Sequence, residues 1–149
     1  MSAPVIRVAK SGDLQELLKL YRHLNSDDAA PDPARAAGAW SKLLASEAID
    51  VIVADLDGML VSSCVLAVIP NLTRGARSFA VIENVVTHGD YRRRGFGRSV
   101  LGAALSMAWE AGCYKVMLAT GSKNEATLRF YEGVGFERGG KIFFQVRRL

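Results

Sequence analysis

The chain has 149 residues, of which half are hydrophobic and 23% are charged, a balance typical of one globular domain and unlike that of a disordered segment. Its formal charge of +4 fits a small anionic ligand as well as a nucleic acid, so charge alone identifies neither partner. The two cysteines, Cys64 and Cys113, lack metal-ligand spacing and do not make a disulfide framework, so we expect reduced packing residues and no metal site.

The N-terminal residues MSAPVIRVAKSGD contain no long apolar run, and no apolar stretch of 18 residues occurs anywhere in the chain. We therefore expect neither a signal peptide nor a membrane span. A cytoplasmic location, with a reducing environment for both cysteines, is the corresponding prediction.

Two helices are predicted after a short first strand over Val5–Lys10. The first helix carries apolar residues at helical spacing, and Ser11 is its predicted N-cap. These apolar residues are Leu14, Leu17, Leu18, Tyr21 and Leu24. The second helix is expected to begin at Asp32 and Pro33, a pair that suits an N-cap and the first helical position.

An antiparallel hairpin follows, because Asp57-Gly58 is a strong turn signal between two apolar runs. The runs predict strands over Asp50–Asp55 and Met59–Ile69. After the loop PNLTRGAR, Phe79–Thr87 reads as a further strand.

A long helix comes next and is expected to stop near Gly112, before a strand over Lys115–Ala119. A strand, a helix and a strand in this order favour a right-handed, parallel βαβ unit. Ser122 and Glu125 predict a capping box for a helix through about Gly133, and Lys141–Val146 is expected to form the last strand.

The resulting order is β-α-α-β-β-β-α-β-α-β. It predicts an α+β fold in which a mixed central sheet is flanked by helices, as one domain over residues 1–149.

The stretch YRRRGFGRSV, residues 91–100, places four arginines and two glycines where the strand turns into the long helix. A helix start leaves backbone N–H groups without intrahelical partners and carries a partial positive charge. Gly95 and Gly97 allow a close approach to the backbone, and the arginines add fixed positive charge. The combination predicts a cradle for a phosphate or pyrophosphate, against the alternative of a tight turn with solvated arginines.

Two common nucleotide-binding loops are excluded at named positions. A P-loop would need Gly at position 91 and Lys before Ser99, where the chain has Tyr91 and Arg98. A dinucleotide fingerprint would need Gly at position 100 and an acidic residue after the next strand, where the chain has Val100 and MLAT.

Two stretches together resemble the GCN5-related N-acetyltransferase superfamily, the GNAT proteins. IENVVTHGDYRRRGFGRSVL is similar to the family's fourth strand and acetyl-CoA loop, with R-x-x-G-x-G at residues 92–97. KNEATLRFYEGVGF is similar to its downstream N-x-x-A-x-x-F-Y-x-x-x-G-F motif. The resemblance covers residues 80–137 and is only architectural before Phe79.

The resemblance implies acetyl-CoA as cosubstrate. The pyrophosphate would be held at Arg92, Arg93, Arg94, Gly95, Phe96, Gly97, Arg98 and Ser99. The backbone at Val85 and Val86 would pair with the pantetheine arm, although both residues also suit an ordinary core strand. Asn124 would contact CoA or serve as a first-turn helix residue, and Tyr131 would lie beside the CoA sulfur or pack as a core tyrosine.

Glu83 is the one acidic residue inside the strand VIENVV. An isolated carboxylate in an apolar strand is costly unless it is paired or functional. We expect it either to accept the proton of the acceptor ammonium or to pair with an arginine such as Arg77. His88 is a weaker candidate for the base.

The resulting prediction is an N-acetyltransferase that moves the acetyl group directly to a primary amine of a small molecule, in a homodimer without a nucleic-acid or membrane partner. GCYK at residues 112–115 and FYEGVGF also resemble glucosamine-6-phosphate N-acetyltransferases, which is one alternative. A non-catalytic acyl-CoA-binding module is another. A nucleic-acid-binding domain is disfavoured because the chain lacks an aromatic stacking platform.

Overall fold

The computed structural model describes residues 2–148, which fall into two compact units, residues 2–117 and residues 118–148. The strands, all in the first unit, are β1 (Val5–Val8), β2 (Ile49–Leu56), β3 (Met59–Ile69), β4 (Phe79–Thr87) and β5 (Val116–Met117). The helices of this unit are α1 (Leu14–Tyr21), α2 (Pro33–Ala45), the four-residue α3 (Thr73–Ala76) and α4 (Phe96–Glu110). The second unit contains α5 (Glu125–Val134).

The sheet has the order β1-β2-β3-β4-β5, with the first four strands antiparallel and β5 parallel to β4. Asp57 and Gly58 have φ angles of 52° and 94°, so the predicted two-residue hairpin turn is formed. The mixed sheet flanked by helices is therefore confirmed, and the βαβ unit through α4 is parallel as predicted.

Opposite faces of the sheet are covered by different helices. On one face α1 and α2 share an apolar cluster with the sheet, whose members include Leu17, Leu20, Trp40, Val51 and Val53. The cluster contains no residue of α4, which packs against β2, β3 and β4. Side chains alternate along a strand, so Ile52, which lies between Val51 and Val53, faces the other side of the sheet, where α4 packs.

A β-bulge interrupts β4 in its second half. Ser63 pairs with Val86 and Val65 pairs with Glu83, so two residues of β4, Asn84 and Val85, lie opposite one residue of β3. Asn84 has a φ of 53°, in the left-handed region that few residues other than glycine adopt. The bulge moves Val86 onto the face that packs against α1 and α2, because Val86 belongs to their apolar cluster.

The final predicted strand, Lys141–Val146, is wrong, since residues 141–148 contain no strand. The apolar pattern of the segment suits a strand, but a strand forms only where a neighbouring backbone offers hydrogen bonds. The predicted strand Lys115–Ala119 is shorter in the structure, where β5 covers Val116–Met117 and the preceding Lys115 carbonyl accepts a hydrogen bond from the Ala80 N–H at 3.0 Å.

Two helix starts also differ from prediction. The first helix is preceded by a 3-10 turn over Ser11–Asp13, so Asp13 and not Ser11 is the N-cap of α1. The last helix begins at Glu125, because Asn124 has extended backbone angles and its side chain accepts a hydrogen bond from the Ala126 N–H at 2.9 Å. Across residues 2–148, no helix combines the length and apolar character that a membrane span requires.

Candidate active site

The cradle, defined as residues 92–98, follows β4 and a 3-10 turn over Gly89–Tyr91. Gly95 is the N-cap of α4 with a φ of 83°, and Arg93 has a φ of 62°. Left-handed residues that alternate with right-handed ones form a nest, whose successive N–H groups can bind an anion, and the positive φ angles of Arg93 and Gly95 suit such a nest. No side chain caps the first turn of α4, whose N–H groups add to this site.

The side chains of the cradle are mostly exposed, those of all four arginines among them. The Arg92 Nε donates to the Thr87 carbonyl at 3.4 Å, and the Arg94 guanidinium lies over the Tyr91 ring, 5.0 Å from its centroid. Phe96 also stacks on Tyr91, with 6.4 Å between ring centroids. The Ser99 hydroxyl donates to the Gly95 carbonyl at 3.0 Å, which fixes the helix start. Positive charge and exposed backbone therefore coincide, as predicted.

Gly97 is buried in the first turn of α4, whereas Gly95 is exposed. The absence of a side chain at Gly97 therefore leaves space toward the interior of the protein as well as toward any ligand. Gly95 and the backbone before it form the accessible part of the cradle.

The two valines of β4 have different surroundings. The Val86 carbonyl accepts a hydrogen bond from the buried Ser62 hydroxyl at 2.9 Å, so it faces β3. By the alternation of a regular strand, the peptide groups of Val85, the neighbour of Val86, would face the opposite edge, on the β5 side. The pairing of β4 with β5 ends at Val81 and Met117. Val85 therefore lies on a part of that edge beyond the β5 ladder.

Glu83 is exposed at the bulge and, within residues 2–148, forms no ion pair with Arg77. The Arg77 Nε instead donates to the Arg74 carbonyl at 2.8 Å, and its guanidinium lies over the Tyr114 ring at 5.5 Å. The structural alternative for Glu83 that the sequence left open is thus not supported.

Both cysteines are free and buried. Burial raises the pKa of the Cys64 thiol to about 12 and also raises the pKa of Cys113. A thiol with a raised pKa is almost entirely protonated at neutral pH and is a poor nucleophile. Neither cysteine is therefore suited to carry an acyl group.

The second unit holds the two remaining predicted site residues on α5. Asn124 is its N-cap, as described above, so its side-chain oxygen is used by the helix. Tyr131 is half-buried and packs edge-on against Phe130 and Phe136, with centroid distances of 5.1 and 6.3 Å. These ring contacts are consistent with the packing interpretation of Tyr131, and its role beside the CoA sulfur stays a prediction.

Sequence analysis missed His23, which contacts the turn before the cradle. Its Nδ1 accepts a hydrogen bond from the Gly89 N–H at 3.2 Å, and its ring stacks on His88 with 4.0 Å between centroids. His88 caps the same turn through a bond from the Asp90 N–H at 3.1 Å. A contact across 66 residues leaves no signal in local spacing.

Comparison with known proteins gives the family. The model of the Acetyltransferase (GNAT) family matches residues 14–136. The chain belongs to the GNAT family. This confirms the resemblance carried by the two sequence motifs, and with it an N-acetyltransferase that uses acetyl-CoA.

Relatives of this GNAT chain cover nearly its whole length. A glucosamine 6-phosphate N-acetyltransferase of Trypanosoma brucei brucei is 32% identical over 141 residues, 88% of this chain and 87% of that protein. A solved structure from Agrobacterium tumefaciens str. C58, described as an acetyltransferase, is 42% identical with a TM-score of 0.92, covering 97% of this chain and 99% of that one. A Trypanosoma brucei acetyltransferase structure is 28% identical with a TM-score of 0.82, over the same shares of the two chains.

Proposed function

We propose that this GNAT protein acetylates a primary amine of a small molecule and holds the pyrophosphate of acetyl-CoA in the cradle. One observation carries the assignment of the cofactor site. Left-handed backbone at Arg93 and Gly95 directs N–H groups outward at the start of α4, among four arginines. Phosphate oxygens accept such bonds, and guanidinium groups add charge-assisted ones.

The pantetheine arm is assigned to the β5-side edge of β4 at Val85. Its amides would extend the sheet there as an added strand, using main-chain hydrogen bonds. The end of the β5 ladder at Val81 and the inward-facing Val86 carbonyl support this assignment. Of the two valines, Val85 is therefore the one proposed to bind.

The proposed chemistry begins with the acceptor ammonium, whose pKa near about 10.4 leaves it protonated at neutral pH. Glu83 takes its proton directly or through one water molecule, and the neutral nitrogen then attacks the thioester carbonyl. A carbon–nitrogen bond forms and an oxyanion develops, for which the Val85 N–H is the candidate donor. The carbon–sulfur bond then breaks, the nitrogen loses its extra proton to solvent, and the thiolate takes up a proton from solvent. The products are the acetamide and CoA.

Tyr131 is proposed to hydrogen-bond the thiolate as it leaves. The support is the match of FYEGVGF to the family motif, with a half-buried ring that packing holds in place. Proton donation from an ordinary tyrosine to a thiolate is uphill, because the phenol pKa is near about 10 and the thiol pKa near about 8.5. A hydrogen bond that strengthens as charge develops has no such cost.

An amino-sugar phosphate is the first acceptor to test. Its support is the similarity to the trypanosomal glucosamine 6-phosphate N-acetyltransferase over most of both chains. Release of the CoA thiol should be followed with glucosamine 6-phosphate, glucosamine, a polyamine, an amino acid and an aminoglycoside. Faster release with one amine supports the small-molecule assignment. CoA binding without turnover on any of them would favour the binding module instead.

The cofactor site has a sharper test in the double variant Arg93→Gln/Arg98→Gln. Both side chains are exposed, so folding should survive. We expect the KM for acetyl-CoA to rise about tenfold or more, because two charge-assisted bonds are lost. The matched control, Arg35→Gln/Lys42→Gln, removes two exposed charges from α2. Equal KM values in the two double variants would place the cofactor elsewhere.

A homodimer and a cytoplasmic location are also proposed. Ile142, Phe143, Phe144 and Val146 are exposed apolar side chains, a feature typical of an interaction surface. Light scattering after gel filtration tests the dimer, and Phe143→Ser/Phe144→Ser should shift it toward monomer. The two free cysteines support a reducing compartment, which fractionation with a fluorescent fusion tests.

A further inference from the structure

The two histidines of the chain lie together, although 65 positions separate them. His23 follows α1, where its own N–H donates to the Leu20 carbonyl at 2.9 Å. His88 follows β4 and begins the turn that leads to the cradle. Their rings are 4.0 Å apart and tilted by 36°. The end of α1 is thereby tied to the end of β4.

Both histidines bind the backbone of that turn through Nδ1. The Gly89 N–H donates to His23, and the Asp90 N–H donates to His88, at 3.2 and 3.1 Å. A Cβ built at Gly89 would lie 3.4 Å from the His23 Nδ1, an ordinary van der Waals contact, so His23 sits directly against this residue. Since Nδ1 is an acceptor in each bond, the proton of each neutral ring lies on Nε2.

Ring contacts continue from the turn into the cradle. The His88 ring meets Tyr91 edge-on at 5.2 Å, and Tyr91 in turn contacts the Arg94 guanidinium and the Phe96 ring. Phe96 is the first residue of α4. An unbroken series of contacts therefore connects α1 with the helix start that forms the cradle.

We propose that His23 is a positioning residue for the cofactor: its neutral imidazole fixes the Gly89 N–H and, through the turn, the backbone of the cradle. The inference rests on the proposed cofactor site. His23 touches neither CoA nor the acceptor in this assignment. Its contribution is to restrict the turn before the ligand arrives, so that less ordering remains to be done on binding.

Charged groups from four parts of the fold lie near this imidazole. Asp90 and Arg92 come from the turn and the cradle, and a cavity of about 470 Å³ beside both histidines is also lined by Glu16, Lys19 and Asp57. His23 is exposed, and desolvation by its neighbours, together with the charges of His88 and Arg92, lowers its pKa, while Asp90 opposes them. The balance favours the neutral ring, the state that accepts the Gly89 bond.

The test compares His23→Ala, His23→Gln and His23→Asn at pH 8.0, where the wild-type ring is neutral. The Asn oxygen occupies nearly the place of Nδ1, whereas the Gln oxygen reaches the place of Nε2. The control is Gln15→Ala, an exposed residue of α1. Measurements are amide hydrogen exchange at Gly89, CoA affinity by calorimetry, and kcat at saturating acetyl-CoA.

We expect Ala and Gln to speed Gly89 exchange and to weaken CoA about fivefold, the effect of one ordinary hydrogen bond, with kcat unchanged. Asn and the control should keep wild-type values. Unchanged CoA affinity in His23→Ala, or an Asn variant as weak as Ala, would overturn the proposal. The Arg93→Gln/Arg98→Gln variant separates the two ideas: if it binds CoA normally, the cradle itself is wrong, and if it alone weakens CoA, only the role of His23 is wrong.

Discussion

The two halves of β4 differ although they belong to one strand. In the first half, Ala80 and Val81 pair with β5 as well as with β3, and Ala80 and Ile82 are buried. In the second half, Glu83 and Asn84 are consecutive exposed residues at a bulge. The first half holds the sheet together, and the second presents backbone and a carboxylate.

Under the proposed function, the difference lets one strand combine two tasks. Pairing on both sides leaves no backbone group for a ligand, whereas a bulge and a lost neighbour expose backbone groups at a defined place. The first half of β4, which is paired on both sides, fixes the position of these exposed backbone groups. Substitutions in the second half should therefore affect turnover, and those in the first half should affect stability.

Glu83→Gln should have the largest effect on turnover. The variant keeps the shape and removes the base, so kcat at neutral pH should fall about 10²-fold or more. The loss should shrink at high pH, where the acceptor amine is already neutral. The control is Asp50→Asn on β2, which should leave the rate unchanged. A small, pH-independent loss would mean that Glu83 is only a surface residue and that the second half of β4 has no catalytic role.

Tyr131→Phe tests the proposed role of the hydroxyl group on α5. We expect kcat to fall by between about 10- and 100-fold, because the hydrogen bond to the leaving thiolate is lost. Acetyl-CoA affinity should change little, since the bond forms mainly in the transition state. Parallel rate and binding measurements check this, with Phe130→Leu as the packing control. If both variants retain full turnover, Tyr131 is a packing residue.

Ile82→Ala should destabilise the fold without affecting chemistry. Ile82 is buried in the doubly paired half of β4, and its truncation should lower the free energy of unfolding by about 2–4 kcal/mol. Chemical denaturation measures the loss, and kcat per folded molecule should stay within about twofold of wild type. A large loss of kcat in the folded variant would mean that the two halves are not separate in function.

The smallest effect concerns pH and the turn that follows β4. Because folding lowers the pKa of His23, the unfolded chain takes up this proton at higher pH than the folded chain does. The contribution to stability is complete above about pH 6.5 and is lost as the pH falls toward the lowered folded value. We expect the Tm of the wild type to fall by at most about 2 °C between pH 7.5 and 5.5, and we expect His23→Asn to abolish this fall.

The pH range in which His23 affects stability is distinct from that of the carboxylates. The Arg7 guanidinium, bound to Asp13 at 2.7 Å, lowers the pKa of that carboxyl from its ordinary 3.8. Its contribution is therefore present above about pH 3.8 and is lost only in stronger acid. If the variant and the wild type show the same profile between pH 7.5 and 5.5, His23 does not titrate with folding.

Local signals in the sequence predicted the strands and the cradle on which this comparison depends. The bounds of β3 and β4 match the prediction, because Asp57-Gly58 and the polar loop after Ile69 mark where the strands end. The cradle was also predictable, since its arginines and glycines are contiguous at a strand-to-helix turn. Its binding role and those of Glu83, Asn124 and Tyr131 stay predictions.

Other features depend on contacts that no local pattern encodes. The bulge at Asn84 arises from the register between two strands, and the same letters would suit an unbroken strand. His23 reaches Gly89 only after α1 has packed on the sheet. Ser122 and Asn124 are both good N-caps, and the backbone angles of the folded loop select Asn124.

Cys64 lies opposite the bulge, fully enclosed, with its thiol pKa raised to about 12. A thiol-reactive dye will therefore label it only when the structure around it opens, so the labelling rate measures local opening at this point. Cys113 is also buried, and the native protein adds little background to assays that detect the released CoA thiol. If CoA binds along β4, it should slow the labelling of Cys64, and the labelling rate would then report CoA binding at this edge without any substitution.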